Sequence, residues 1–301
     1  MMNKIYKKII VFGSTGFFGK NLKAITRGKN FKLININRKI FINLDKSKKL
    51  ALLNKASFIF HFANQNNEHK ANQYPINDLK DNLFLTISIL ETLRYCKSKP
   101  FLIYPSTVSL YKSSKILKTE KSKIDIISTY NAHKFINETY INFYSKKYKI
   151  NSIILRVANV YGFNINNKRG LLQRMINDYL NNKNITLYNS GNQIRDYLHI
   201  DDLNSAFKKI ITRPKAGLFN LCSGKSYSFI ELDKIIRNIL LNKFNFKNSS
   251  KIIFRKNNND LFRRHFKGSN KKFRSNFLWK SKINLKKGIT LNRYDKFKNK
   301  F

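Results

Sequence analysis

Short apolar runs alternate with longer amphipathic stretches through the first half of the chain. The apolar runs predict strands, in KIIVFG, FKLININR, FINL, SFIFHFA, FLIYPST and INSIILRVANVYG. The stretches between them predict helices, at residues 17–27 and in DKSKKLALLNK, INDLKDNLFLTISILETLRYCK and TYNAHKFINETYINFYSKKY. Such alternation is typical of right-handed βαβ units, and near-continuous apolar strands fit burial on both sides. The pattern therefore predicts a doubly wound parallel α/β sheet.

The rhythm changes after Gly162, where loops lengthen and helical patterns come at irregular intervals. We expect residues 1–162 to form the domain with the parallel sheet. We expect residues 163–301 to form a smaller mixed α/β substrate lobe, interleaved with the first domain. The most basic and loop-like part lies near the end, in FKNSSKIIFRKNNNDLFRRHFKGSNKKFR.

The net charge of the chain is extreme, with 60 Lys and Arg against 16 Asp and Glu in 301 residues, formally +44. One interpretation is a surface that binds a polyanion. We favour compositional drift, because the lysines are scattered along the whole chain and accompany abundant Asn, Ile, Phe and Tyr. Hydrophobic residues make up 42% of the chain, which favours a folded globular protein over disorder.

Cysteine usage and the lengths of the apolar runs restrict the class of protein. Cys96 and Cys222 give neither a disulfide framework nor a zinc spacing, and they suit a reducing compartment. No apolar run approaches ~18 residues, so we expect no membrane span. The start MMNKIYKKIIVFG lacks a signal-peptide cleavage pattern. We therefore expect a cytoplasmic protein without a metal site.

The stretch VFGSTGFFGK joins the first predicted strand to the first predicted helix through glycines at Gly13, Gly16 and Gly19. A Walker A phosphate loop would need glycine where Ser14 stands, and Ser or Thr where Asn21 follows the lysine, so that interpretation fails. The alternative is a dinucleotide turn. The first glycine would allow the tight turn, the second would let the backbone approach a pyrophosphate, and the third would permit close helix packing. By spacing alone, a purely structural turn remains an alternative.

Hydroxyl groups and a Tyr-x-x-x-Lys pair follow this turn in the sequence. YPSTVSLY ends a predicted strand, and TYNAHK places Tyr130 and Lys134 on one face of a helix. This order resembles the short-chain dehydrogenase/reductases. The segments LRVANVYG and RDYLHIDDL narrow the resemblance to the extended branch, the NAD-dependent epimerase/dehydratase family. FNLCSGKSYSFIEL and LWKSKINLKKGI are similar to that family's C-terminal segments, so the resemblance covers nearly the whole chain and implies a Rossmann-type fold.

The resemblance implies a catalytic triad of Thr107, Tyr130 and Lys134. Thr107 would hydrogen-bond the reacting sugar oxygen, and Tyr130 would act as acid and base. Because a free tyrosine has a pKa near 10, Lys134 would have to lower that pKa toward the working pH. The hydride chemistry would belong to NAD or NADP. Taken alone, Tyr130 could also be an ordinary helix-surface residue.

The resemblance also implies residues that contact the cofactor and the substrate. Those expected at the dinucleotide are Gly13, Thr15, Gly16, Phe17, Phe18, Gly19, Asn37, Arg38, Asn43, Leu44, Phe62, Ala63, Asn82, Tyr130 and Lys134. Those expected at a nucleotide-sugar substrate are Thr107, Asn159 and Arg195. An arginine suits a diphosphate by charge and forked geometry, although Arg195 could instead pair with Asp201 or Asp202. His61 is expected to be a packed core histidine rather than a base.

Two departures from the family's pattern bear on cofactor and reaction. NAD-dependent members usually carry an acid at the end of the second strand, where this chain has Asn35 or Asn37 followed by Arg38. An arginine there could meet a 2′-phosphate, which favours NADP mildly over NAD. The family's 4,6-dehydratases place Asp-Glu directly after their threonine, where this chain has Val108 and Ser109. We therefore do not expect water elimination.

These features predict an NAD(P)-dependent nucleotide-sugar epimerase that oxidises a sugar C4 hydroxyl, rotates the ketone and reduces its other face. An NADPH-dependent 4-keto-sugar-nucleotide reductase is the alternative within the fold. An RNA-binding protein on the same scaffold, with FRRHFKGSNKKFR as the contact, is the alternative of another class, disfavoured despite the charge. The family implies a homodimer through helices predicted at residues 76–97 and 130–147, unless these faces only cover the sheet.

Overall fold

A parallel sheet lies at the centre of the computed structural model, which describes residues 7–26, 31–162, 170–246, 249–257 and 264–291. In chain order the strands are β1 (Lys7–Phe12), β2 (Phe31–Ile36), β3 (Phe58–His61), β4 (Phe101–Thr107), β5 (Leu117–Lys118), β6 (Ser152–Val157), β7 (Asn159–Tyr161), β8 (Ile185–Tyr188), β9 (Ile194–His199), β10 (Gly217–Leu221), β11 (Ser226–Ser228), β12 (Ile252–Arg255) and β13 (Lys267–Gly268). The helices are α1 (Phe17–Thr26), α2 (Arg38–Asn43), α3 (Lys46–Leu53), α4 (Glu68–Gln73), α5 (Pro75–Tyr95), α6 (Thr129–Tyr148), α7 (Leu171–Leu180), α8 (Ile200–Thr212), α9 (Phe229–Phe244), α10 (Lys271–Phe277) and α11 (Leu285–Thr290).

The central sheet has the strand order β10–β6–β4–β3–β1–β2, and every neighbouring pair in it is parallel. Successive side chains of β1 point to opposite faces. Ile9 and Val11 join a core that includes Phe207 of α8, whereas Ile10 and Phe12 join a core that includes residues of α5 and α6. Helices therefore cover both faces, and the predicted Rossmann-type doubly wound sheet is confirmed.

The strand predicted at FINL is wrong, because this segment belongs to helix α2. The Asn37 side chain accepts hydrogen bonds from the backbone N–H groups of Lys39, at 2.9 Å, and Ile40, at 3.5 Å. An asparagine N-cap satisfies the first free donors of a helix, so it favours a helix start over extended chain. The strand predicted in INSIILRVANVYG breaks at Ala158 into β6, in the central sheet, and β7, in a separate sheet.

Three small sheets and several helices of the described residues lie outside the central sheet. These sheets are β11–β9–β7, β12 paired with β8, and β13 paired with β5. Met175 and Ile176 of α7 share one core with Leu232 and Ile236 of α9. The chain beyond residue 162 also returns to the central sheet, as β10 beside β6 and as α8 on one face. Of the helices in the described ranges, none is long and apolar enough to cross a membrane.

Candidate active site

The turn between β1 and α1 is tightly packed except at one glycine. Gly13 has a φ of +84°, and a Cβ there would lie 2.5 Å from the backbone nitrogen of Ala63. A Cβ on Gly19 would overlap the backbone of Gly13 and Ser14. At Gly16 the nearest atom to a Cβ would be the Gly13 carbonyl oxygen, at 3.4 Å. The chain is therefore open at the second glycine, which fits a pyrophosphate approaching the start of α1.

A cavity of about 530 Å³ joins this turn to the ends of β3, β4 and β6. The predicted site residues that line it are Gly13, Gly16, Phe17, Phe18, Phe62, Thr107, Tyr130, Lys134, Asn159 and Arg195. The predicted site residues outside its lining are Thr15, Gly19, Asn37, Arg38, Asn43, Leu44, Ala63 and Asn82. The cavity thus brings the glycine turn, the expected triad and the expected substrate residues together.

Asn82 lies behind the cavity, on α5. Its Oδ1 accepts a hydrogen bond from the Gln65 backbone N–H at 2.6 Å, and its Nδ2 donates to the Gln65 carbonyl at 3.4 Å. Asn82 is nearly fully buried. The residue therefore fixes the chain that leaves β3 beside the cavity, rather than touching the cavity itself.

The residues expected at the far end of a dinucleotide lie around α2. Asn37 caps this helix, and Asn43 and Leu44 end it. Arg38 pairs with Asp81 of α5, with 2.7 Å between its Nη2 and the carboxylate Oδ1. The guanidinium expected to meet a 2′-phosphate therefore already has an anionic neighbour.

The expected triad comes together where β4 and α6 meet. Thr107 ends β4, and Tyr130 and Lys134 lie in the first turns of α6. Lys134 is buried, and its Nζ donates a hydrogen bond to the Pro105 carbonyl at 2.9 Å. This Nζ lies 4.8 Å from the ring centroid of Tyr104 and 6.0 Å from that of Tyr130. The ammonium therefore joins the helix that carries the phenol to the strand that carries the hydroxyl.

Desolvation is the largest influence on the pKa values of Tyr130 and Lys134. It raises the pKa of Tyr130, as do the charges of Glu68 and Asp78, against a hydrogen bond with Thr107 and the charge of Arg264. It lowers the pKa of Lys134 to about 7. The net shift at Tyr130 is therefore opposite to the one expected from the sequence, because burial outweighs the attraction of nearby cations.

His61 closes the cavity at the end of β3. Its side chain is fully buried, and its Nε2 lies 2.9 Å from the Thr86 hydroxyl oxygen. Thr86 donates its own proton to the Asn82 carbonyl, so Nε2 of His61 is the donor to Thr86. Burial and then the charge of Lys134 lower the pKa of His61 to about 3. The imidazole is therefore neutral, as suits a packed core histidine.

Arg195 and Asn159 also line the cavity. The Asn159 Nδ2 donates to the Asp196 carbonyl at 3.1 Å. The Arg195 guanidinium donates to the carbonyls of Ile194 and Arg264, and burial lowers its pKa to about 10. In the part of the chain that the structure describes, no carboxylate lies within ion-pair distance of Arg195. This leaves a cation facing the cavity for an anionic ligand.

The structure also shows contacts around the triad that the sequence did not indicate. Ser109 contacts Thr107, Asn131 contacts Ser109, and Arg264 contacts Asn131. Glu68 forms an ion pair with Arg264 at 3.1 Å. Glu68 and Arg264 come from parts of the chain distant from Thr107 and Tyr130, so no local spacing could have joined them to this group.

Comparison with known proteins gives a family over most of the chain. The NAD dependent epimerase/dehydratase family matches residues 9–222. A protein of Methanocaldococcus jannaschii described as a putative UDP-glucose 4-epimerase is 29% identical over 76% of this chain and 81% of its own length. A dTDP-D-glucose 4,6-dehydratase of Dictyostelium discoideum is 28% identical over 77% of this chain, but over only 62% of its own length.

Solved structures show the same architecture. A UDP-glucuronic acid 4-epimerase from Bacillus cereus, solved with UDP-glucuronic acid and NAD, superposes with a TM-score of 0.82. It is 21% identical in sequence, and the match covers 98% of this chain and all of the other. At this identity the superposition supports the fold.

We predict that the burial of Lys134 makes stability depend on pH. Its pKa is about 7 in the folded protein and 10.5 in the unfolded chain, so the unfolded state binds more protons between these values. The free energy of unfolding, measured by urea denaturation, is therefore expected to rise with pH above about 7 in the wild type relative to Lys134→Met. The difference should grow by about 1.4 kcal/mol per pH unit.

Lys146→Met, at an exposed position of the same helix, is the control for this measurement. It should leave the pH dependence of the wild type unchanged. A difference between the wild type and Lys134→Met that stays flat across this range would show that the buried lysine keeps its ordinary pKa.

Proposed function

The chain belongs to the NAD-dependent epimerase/dehydratase family, and we propose that within it the protein is a nucleotide-sugar 4-epimerase. One observation carries the proposal: Thr107, Tyr130 and Lys134 line the same cavity as Arg195, which has no carboxylate within ion-pair distance among the described residues. The relative from M. jannaschii, described as a putative UDP-glucose 4-epimerase, supports the same reaction.

The glycine turn is the part of the site that fits a dinucleotide. Its backbone is open at Gly16, and Phe17 and Phe18 of α1 line the cavity beside it. When bound, NAD or NADP supplies the acceptor and donor of hydride. The residues around the turn would hold the pyrophosphate through backbone N–H groups and the positive end of the helix dipole.

In the proposed reaction Tyr130 moves the proton of the sugar C4 hydroxyl. The phenolate form takes this proton during oxidation, and the phenol returns it when the ketone, turned to present its other face, is reduced. Burial raises the pKa of Tyr130, so the phenolate form would need positive charge near the oxygen; the charge of Arg264 acts in that direction but is outweighed by burial. Thr107 would donate a hydrogen bond to the C4 oxygen and hold it beside Tyr130.

The substrate end of the cavity suits the diphosphate of a nucleotide sugar. The Arg195 guanidinium lies 5.5 Å from the Phe229 ring, which limits its movement. A forked cation can bind two phosphate oxygens at once. An anchored diphosphate would leave the sugar free to rotate between the two hydride transfers, which is what an epimerase needs.

Water elimination is not part of the proposal, although a dehydratase is among the relatives. The positions after Thr107 hold Val108, which is buried, and Ser109, whose hydroxyl lies 2.9 Å from the Thr107 hydroxyl. Neither side chain is an acid or base that could remove a proton beside the sugar and protonate the leaving hydroxyl. The residues of this site therefore favour oxidation and reduction at one carbon.

We predict that the purified protein interconverts a UDP- or dTDP-hexose and its C4 epimer without net consumption of NAD(P)H. Tyr130→Phe should lower kcat by about 10²–10⁴-fold, because it removes the proton-transfer group. Tyr140→Phe, at an exposed position of α6, is the matched control and should keep wild-type kcat. Sugar products are measured by NMR or ion-pair chromatography.

Other results of this assay would replace the proposal. Stoichiometric oxidation of NADPH by a 4-keto-sugar nucleotide would identify a reductase. Salt-dependent RNA affinity that survives Tyr130→Phe, with no sugar chemistry, would favour the binding protein of the other class.

We further propose that the site accepts NADP as well as NAD. No carboxylate follows β2 to repel a 2′-phosphate, since Asn37 and Arg38 stand there. The ion pair with Asp81 competes for the Arg38 guanidinium, so its strength would set the balance between the two dinucleotides.

Titration calorimetry with NAD+ and NADP+ tests this balance. Arg38→Gln is expected to weaken NADP+ binding by about tenfold, the loss of roughly one ion pair, and to leave NAD+ binding unchanged. Asp81→Asn should strengthen NADP+ binding selectively. Equal effects on both dinucleotides would place Arg38 away from the 2′-position.

We also infer a homodimer through α5 and α6. One face of this helix pair packs on the central sheet, as the core residues Leu85, Ile89 and Ile141 show. The other face leaves large apolar side chains half-exposed, among them Phe84 at 49% and Phe143 at 48%. A second copy of the same pair would cover them in a four-helix bundle.

We predict that Phe84→Glu with Phe143→Glu shifts the protein from dimer to monomer in sedimentation equilibrium, because four buried carboxylates would face each other. Leu241→Glu, a half-exposed apolar position on α9, is the control and should not change the mass. A wild type that sediments as a monomer at micromolar concentration would refute the inferred interface.

A further inference from the structure

A chain of polar contacts runs from α4 through α6 to the Thr107 hydroxyl. Arg264 Nη2 lies 3.1 Å from Glu68 Oε1 and donates a hydrogen bond to Asn131 Oδ1 at 2.9 Å. Asn131 Nδ2 donates to Ser109 Oγ at 2.9 Å, and Ser109 Oγ lies 2.9 Å from Thr107 Oγ1. The contacts therefore reach the proposed catalytic hydroxyl from the segment that precedes β13.

Arg264 fixes which way the Asn131 amide points. A guanidinium only donates hydrogen bonds, so the atom facing it must be the amide oxygen. The amide nitrogen then faces Ser109. Asn131 is fully buried and Arg264 is 8% exposed, so neither group can turn to water for another partner.

The amide nitrogen in turn fixes the direction of the Ser109 hydroxyl. Because an amide N–H only donates, the serine oxygen accepts from Asn131. Thr107 Oγ1, at 2.9 Å, is the other partner of this hydroxyl among the described residues, so donation of the serine proton to it would satisfy both groups. The orientation of each group is therefore set by the one before it, from Arg264 through Asn131 to Ser109.

The Thr107 oxygen receives two donors by this arrangement. The Ser109 backbone N–H donates to it at 3.1 Å, and the Ser109 hydroxyl occupies its second lone pair. Both acceptor positions are then filled, so the threonine's own proton points away from Ser109. The Tyr130 phenol is a further hydrogen-bonding neighbour of Thr107.

We propose that Arg264, acting through Asn131 and Ser109, is a positioning residue that fixes Thr107 as a hydrogen-bond donor toward the reacting oxygen. The role of Thr107 in this statement rests on the proposed function, whereas the direction of the hydrogen bonds does not. Without this restraint, the Thr107 hydroxyl would populate a second orientation in which it donates to Ser109 and its proton points away from the substrate.

Two further contacts hold Arg264 in this role. Glu68, which neutralises it, also accepts a hydrogen bond from Ser128, the N-cap of α6, at 3.1 Å. The backbone carbonyl of Arg264 accepts a hydrogen bond from Arg195, the proposed diphosphate anchor. The same residue thus contacts Arg195 through its backbone and Asn131 through its side chain.

Neutron diffraction of the deuterated protein tests the direction of donation without any turnover. A deuterium on Ser109 Oγ directed at Thr107 Oγ1 is expected. A deuterium on Thr107 Oγ1 directed at Ser109 would overturn the proposal, whatever reaction the protein catalyses. Failure of the sugar assays would refute the proposed function and leave this result standing.

A double-mutant cycle tests the effect on catalysis. Asn131→Asp keeps the shape of the side chain but can only accept from Ser109, so the serine proton turns away from Thr107. We expect kcat for epimerisation to fall by about a hundredfold, the usual effect of one lost oriented donor, with KM changed by less than about twofold. In the Ser109→Ala background the same substitution should change kcat by less than about threefold, because the intermediary is gone.

Comparing Asn131→Asp in the wild-type and Ser109→Ala backgrounds distinguishes the proposal from a simple charge effect. An added carboxylate that acted only through its field on Tyr130 would lower kcat equally in both backgrounds, and that result would overturn the proposal. Arg264→Lys keeps a donor and a charge facing Asn131 and should retain most of kcat, whereas Arg264→Met should lose as much as Asn131→Asp. Equal losses for the lysine and methionine variants would also contradict it.

Discussion

The hydrogen bond from the buried Lys134 ammonium to the Pro105 carbonyl is the contact on which the site depends. It joins α6 to β4 at 2.9 Å. Pro105 lies two residues before Thr107, and Lys134 lies one helical turn after Tyr130, so this one contact sets the phenol against the hydroxyl. Burial of the ammonium disfavours its charge, and the carboxylate of Glu138 acts in the opposite direction. The geometry of the triad therefore depends on a buried cation whose desolvation is only partly offset by nearby negative charge.

The chain has few carboxylates, and several of them are buried in ion pairs or hydrogen bonds. Of 301 residues, 16 are acidic, yet Glu138 and Arg156 form a pair 3% exposed on both sides, 2.7 Å apart. Asp202 accepts backbone hydrogen bonds from Lys282 and Ile283. Removing one partner of such a contact leaves a buried group without compensation. These buried acids therefore matter more to the fold than their small number suggests.

The sequence pattern predicted the features that depend on residues close together in the chain. Strand–helix alternation gave the central sheet, and the order of the glycine turn, the hydroxyls and Tyr130 with Lys134 placed the triad in one cavity. A single N-cap, Asn37, turned the strand predicted at FINL into a helix, because capping outweighs the β preference of a short apolar run. The contact between Asn131 and Arg264 spans 133 positions and has no periodicity. The burial that raises the pKa of Tyr130 is likewise a property of the assembled fold.

The return of β10 to the central sheet has a consequence for how the chain is made. β6 is buried along its whole length and pairs with β4 on one side and β10 on the other. During synthesis Gly217–Leu221 leave the ribosome after every other strand of this sheet has been translated. Until then one side of β6 offers unpaired N–H and C=O groups on an apolar strand, a template for pairing with another nascent chain. The translation of the intervening segment is thus an interval in which this strand edge is unprotected against aggregation.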